Sequence, residues 1–155
     1  MALNLTKGQR VDVGLQKVAI GLGWNPDPLA SPGQGFDLDA TAFLVGENGK
    51  CAGEAHVVFY NNLESPDKSV RHSGDNRTGD GDGDDEQIIV DLPRVPANVK
   101  HLVFVVNSFT GESFDQIDNA TCRLVDARGD KELLRYALSG SGSHTAQVML
   151  RLYRE

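Results

Sequence analysis

Residues Phe36–Leu44 read FDLDATAFL. Phe36, Leu38, Ala40, Ala42 and Leu44 fall on one side of an extended chain, and Asp37, Asp39, Thr41 and Phe43 on the other. That period of two marks a strand with one apolar face. The stretch TAQVMLRLYR repeats it, with Val148, Leu150 and Leu152 opposed to Gln147, Met149, Arg151 and Tyr153. Working outward, further strands are expected at Leu3–Thr6, Lys17–Leu22, Ala55–Tyr60, Ile88–Leu92, Lys100–Asn107, Ala120–Asp126 and Glu132–Leu138. Val57–Phe59 and Leu102–Val106 are continuously apolar and suit central strands. Asn48-Gly49, Arg128–Asp130 and Gly140–Gly142 supply turns between runs. No stretch of ten or more residues has helical periodicity, and Ser113–Asn119 suits one short helical turn. The expected fold is all-β: an antiparallel β-sandwich of two packed sheets, forming a single domain over residues 1–155.

The chain has 155 residues, of which 39% are hydrophobic and 24% charged, enough for a core without staples. Its formal charge of −7 argues against nucleic acid or an anionic membrane surface as partners, since both select basic faces. No apolar run is long enough to insert into a membrane. The N-terminal MALNLTKGQR lacks the apolar core of a signal peptide. Cys51 and Cys122 form no CxxC pair, and a reducing cytoplasmic setting is expected.

The charge is concentrated. Gly74–Glu86, GDNRTGDGDGDDE, contains six acids and the single base Arg77, so it carries −5 of the −7. Two carboxylates about 5 Å apart repel by roughly 3 kcal/mol at an effective dielectric near 20. Such a segment either stays open and solvated or folds around cations. It lies within the connection from Asn61 to Gln87, where Leu63 and Val70 are the sizeable apolar residues, too few to pin it down. A connection this long without structure of its own is commonly functional or disordered.

Asn48-Gly49 favours a two-residue hairpin turn. Pairing Glu47 with Lys50 across it places Asp37 opposite Tyr60 and Phe36 opposite Asn61. Asp37 and Asp39, Asn61-Asn62 and the acidic segment would then share one end of the sandwich. Oxygen donors without clustered thiolates or imidazoles suit Ca²⁺, which takes six to eight oxygens from flexible loops. The excess of negative charge favours two ions. An EF-hand fits poorly, because a loop starting at Asp80 would have Asp85 where glycine is required. Asp84 and Asp85 are adjacent, so one of the two is expected to face a given ion.

VGLGW, FDLDA, VFYNNLESPDKSVRHSGDNRTGDGDGDDE, VNSFTGESFDQIDNATCRLVD and LYRE together resemble the TerD family of tellurium-resistance and bacterial stress proteins, in its TerZ-like branch. The resemblance spans nearly the whole chain. It implies a β-sandwich that binds calcium at the loop-bearing end and serves in tellurite resistance and stress response without catalysis. The implied metal ligands are Asp37, Asp39, Asn61, Asn62, Asp75, Asn76, Asp80, Asp82, Asp84, Asp85 and Glu86. The implied partners are proteins of a stress-response assembly, membrane-associated ones among them. Asp80 and Asp82 depart from the glutamates of many relatives, and relatives usually continue for another strand beyond LYRE.

Other readings stand beside this one. A metal-dependent hydrolase could use the same carboxylates, although no general base or phosphate clamp is identifiable beside them. A structural adaptor could use calcium only to staple the loop. His56, His72, His101 and His144 show no ligand spacing and read as isolated residues, and both cysteines read as packed side chains. Trp24 suits a core anchor or a cover for the loop, with Asp27 a weak additional ligand candidate.

Overall fold

The computed structural model describes residues 3–4, 8–26, 28–29, 35–74, 84–109, 111–117, 119–128, 131–138, 143 and 145–154. Ten strands are described: β1 (Leu3–Asn4), β2 (Lys17–Gly23), β3 (Leu38–Gly46), β4 (Val57–Val58), β5 (Val70–His72), β6 (Glu86–Asp91), β7 (Val99–Ser108), β8 (Thr121–Asp126), β9 (Lys131–Ala137) and β10 (Ala146–Tyr153). They form a six-stranded sheet, β1-β9-β8-β2-β6-β5, and a four-stranded sheet, β10-β7-β3-β4. All pairings are antiparallel except β1 with β9. The expected sandwich is what the alternation builds. No helix among the described residues is long and apolar enough to cross a membrane.

The core lies between the sheets. Val18, Ile20 and Leu22 of β2, Ile88 and Val90 of β6, and Leu124 of β8 face Leu38, Ala40, Ala42 and Leu44 of β3 and Phe104 and Val106 of β7. Each is at most 1% exposed, and a large apolar side chain buried to that degree contributes roughly 1.5–3 kcal/mol. The helical turn expected at Ser113–Asn119 is a 3-10 turn at Phe114–Gln116, where Ser113 N–H donates to Gln116 Oε1 at 2.9 Å. It delivers Phe114 and, just after it, Ile117 into the core.

Several expectations about the middle of the chain are corrected. The hairpin after β3 closes with Gly46 N–H donating to Lys50 O at 2.9 Å, so Glu47, Asn48 and Gly49 form a three-residue loop with Gly49 at φ 78°. A residue in the left-handed region is what such a loop requires, and glycine takes it without strain. A 3-10 turn at Glu54–His56 then adds residues on one side only, and Ala42 pairs with Val58. Asn61 therefore does not lie opposite Phe36. The chain reverses at Tyr60-Asn61, where Phe59 and Asn62 exchange backbone hydrogen bonds of 3.0 Å. Val57-Val58 belong to an edge strand rather than a central one.

The connection from Asn61 to Gln87 is also not without structure. Val70, fully buried, anchors β5 against β6 in the register Val70↔Val90 and His72↔Ile88. The turn before it is organised by Asp67 Oδ1, which accepts from Ser65 Oγ at 2.9 Å, Ser69 N at 2.8 Å and the Ser69 hydroxyl. One buried valine and one Asx-type turn suffice to add an edge strand.

Candidate metal-binding end of the sandwich

Asp37 and Asp39 flank Leu38 at the start of β3, so their side chains leave the strand on the face opposite the core. They are nevertheless buried, at 9% and 3% exposure. The backbone fixes their position: Phe109 N–H donates to Asp37 O at 2.8 Å, and Asp39 pairs with Asn107 of β7.

The return of the acidic segment is linked to this end of β3 through Trp24. Asp85 N–H donates to Leu22 O at 2.8 Å, and Asp85 Oδ2 accepts from Trp24 N at 2.9 Å. The Trp24 indole, 4% exposed, donates to Phe36 O at 3.0 Å. Trp24 thus ties the Asp85 carboxylate to the residue before Asp37.

Glu86 is placed differently. With Ile88 and Val90 it forms the inward face of β6, and it is 1% exposed. β4 is too short to reach Ala40, whose N–H donates instead to Glu86 Oε1 at 3.0 Å. His72 Nε2 lies 3.1 Å from the same oxygen, while Gly74 N–H donates to His72 Nδ1 at 2.9 Å. A nitrogen that accepts carries no proton, so the Nε2 proton is the one directed at Glu86. Glu86 and His72 thereby link β3, β5 and β6 across the two sheets.

Asp84 turns to the outer face of the six-stranded sheet. Its Oδ1 and Oδ2 receive Arg123 Nε and Nη2, both at 2.8 Å, and Gln87 Nε2 adds a bond of 2.8 Å to Oδ2. Its carboxylate lies directly over Gly21, where a Cβ would sit 2.3 Å from Asp84 Cγ. Hydrogen bonds from Arg123 to Asp84 and the charge of that carboxylate hold the guanidinium above its ordinary pKa. Glu132 and Arg135 extend the network along β9.

Asn61 is exposed, and Asn62 Nδ2 donates to Val57 O at 2.7 Å and Ala55 O at 3.2 Å, which secures the turn. Asp75, Asn76, Asp80 and Asp82, with Asp27, lie outside the described residues. Among the described residues, no three His, Cys, Asp or Glu side chains are grouped to hold a metal ion. Of the proposed ligands, then, the structure brings Asp37, Asp39 and Asp85 to one end, and engages Asp84 and Glu86 in protein contacts. Among the described residues the side-chain donors at that end are carboxylate oxygens, which fit a hard cation and not a thiophilic one.

His72, Arg123 and Gly21 were not legible as parts of this region. The alternation Glu86-x-Ile88-x-Val90 is the signal that places Glu86 inside; nothing local marks Arg123.

The TerD-domain family model matches residues 1–155. The chain is 44% identical over 164 residues to the tellurium resistance protein TerD of Alcaligenes sp, covering 99% of this chain and 84% of that protein. It is 43% identical to general stress protein 16U of Bacillus subtilis (strain 168), with the same coverage. The crystal structure of a homologue of telluride resistance protein (TerD) from Streptomyces coelicolor A3(2) superposes with a TM-score of 0.76 at 26% identity, over 92% of this chain and 83% of that one. A chain matched over its whole length by this model, with these relatives, belongs to the TerD-domain family of tellurium-resistance and stress-response proteins.

Proposed function

We propose that this protein is a non-enzymatic, cytoplasmic calcium-binding module of a stress-response assembly, taking about two Ca²⁺ at the acidic end of the sandwich. The observation that supports the reading best is that buried Asp37 and Asp39 start the same end of β3 to which Trp24 ties Asp85. Carboxylates drawn to one end of a protein repel one another, and a hard dication among them offsets that cost. Asp37, Asp39 and Asp85 would supply the fixed oxygens, and Asp75, Asn76, Asp80 and Asp82 the remainder. The bound cation supplies positive charge between these carboxylates. Asp84 and Glu86 anchor the return of the segment, so that its start at Gly74 and its end at Asp84 are both tied to the sheet through His72 and Arg123. Ion binding then orders the segment between two fixed posts, and the surface at that end becomes the one offered to protein partners.

Titration calorimetry on chelator-stripped protein tests the assignment. Saturable binding of Ca²⁺, stronger than that of Mg²⁺ and weakened by Asp39→Asn, is expected. Absence of calcium heat in the folded wild-type protein overturns it.

A further inference from the structure

The opposite end of the sandwich carries a second, chemically distinct feature. A cavity of about 290 Å³ opens where the ends of β7 and β10 meet the segment before β2 and the turn after β6. Val11, Val13, Leu92, Val95 and Leu152 give it apolar walls. Lys100, His101, Arg151, Tyr153 and Arg154 also line it, with Asp12 the lining acid.

The cations are arranged, not scattered. Arg151 Cζ lies 4.8 Å and Arg10 Cζ 5.9 Å from the centroid of the Tyr153 ring, within cation–π range. Register places Tyr153 opposite His101, with ring centroids 6.5 Å apart. Arg154 holds the wall, its Nη2 donating to Val95 O at 2.7 Å and its Nε to Val99 O at 3.2 Å. No ion pair joins Lys100, Arg151 or Arg10 to a carboxylate among the described residues. His101 Nδ1 is buried and makes no hydrogen bond among the described residues. An atom shut off from solvent takes no partner from the cavity, so the His101 ring serves as wall there.

Along β7, His101 and Asn107 are six residues apart, about 20 Å in an extended strand. The acidic end is thus beyond about two Debye lengths at physiological salt, and its charge does not cancel the field of Lys100, Arg151 and Arg10. A locally cationic, apolar-walled cavity in a protein of net charge −7 is a selective feature rather than a property of the whole surface.

We propose that this cavity binds a small organic anion: a compact apolar body bearing one carboxylate, sulfonate or phosphate. The body sits against Val11, Val95 and Leu152, and the anionic group faces Lys100 and Arg151 at the rim. A cavity near 300 Å³ is at the small end of ligand sites, which limits the body to roughly one fused ring pair or its aliphatic equivalent. The site is independent of the calcium reading, and it operates with or without divalent ions.

Amide NMR on the full chain in chelator, with naphthalene-2-sulfonate as probe and uncharged naphthalene-2-methanol as control, tests this. The sulfonate should produce saturable shifts at 11–13, 99–102 and 151–154, and bind at least about fivefold more tightly than the alcohol. The double variant Lys100→Gln/Arg151→Gln should remove that preference while retaining the alcohol's affinity, which shows the cavity intact. No saturable shift at these residues, equal affinity for the two probes, or a preference that survives the double variant overturns the proposal.

Discussion

Arg123 Nε and Nη2 meet the two oxygens of Asp84 at 2.8 Å each, across the backbone of Gly21. The pairing fixes where the acidic segment rejoins the sheet, because Gly21 is bracketed by Gln87 on β6 and Arg123 on β8. A side chain at position 21 cannot share that space with Asp84. Gly21→Ala should therefore lower stability by about 1–3 kcal/mol through displacement of Asp84, read as a fall in the urea midpoint. Arg123→Ala should act in the same direction, and the double variant should be less destabilised than the sum of the two.

Glu86 is expected to matter even without any ion. Glu86→Ala leaves Ala40 N–H and His72 Nε2 without their acceptor inside the protein. A loss of about 3 kcal/mol follows, of the size seen when one partner of a buried polar pair is removed. Chelator-treated protein should show the full loss in urea unfolding; a loss seen only with calcium present would make Glu86 an ion ligand first.

Acid sensitivity should trace in part to Glu132 and Asp67. Hydrogen bonding and charge from Arg135 hold the Glu132 carboxyl below its ordinary range. Burial alone would raise Asp67, but hydrogen bonds from Ser69 and Ser65 outweigh it and lower its pKa. Both groups bind protons less readily folded than unfolded. Their contribution is complete above the ordinary carboxylate pKa of about 4 and disappears as pH falls through the depressed folded values. Glu132→Gln and Asp67→Asn should each flatten the fall of Tm with acid, measured calorimetrically between about pH 6 and 3.

The cysteines are expected to be inert in the folded state. Burial pushes the Cys122 thiol up to about 12 and raises Cys51 as well, so neither forms much thiolate at neutral pH. A disulfide reagent at neutral pH should label Cys122 only on unfolding and Cys51 slowly. Fast labelling of both in native buffer would contradict the packing described.

The sandwich was readable because Leu38–Leu44 alternates against one core and the continuous apolar run Leu102–Val106 marks a central strand. β5 was not, because a single buried valine carries it and the surrounding residues are polar. The β3–β4 register failed for a different reason: the 3-10 turn at Glu54–His56 adds residues to one side of the hairpin, and no turn signal at Asn48-Gly49 reports that. The acidic end was legible as composition, since six acids crowd into Gly74–Glu86. The division of labour within it was not. Asp84 and Glu86 sit two residues apart on opposite faces of the sheet, and their partners Arg123 and His72 come from β8 and β5.

Calcium-dependent thermal unfolding of chelator-stripped protein tests the central claim most directly. At calcium about a hundredfold above Kd, one site adds about 2.7 kcal/mol, which for a chain of this size predicts a Tm rise of about 5–10 °C. Asp39→Asn should abolish most of that rise while unfolding as cooperatively as wild type. Superimposable unfolding curves with and without saturating calcium would contradict the account.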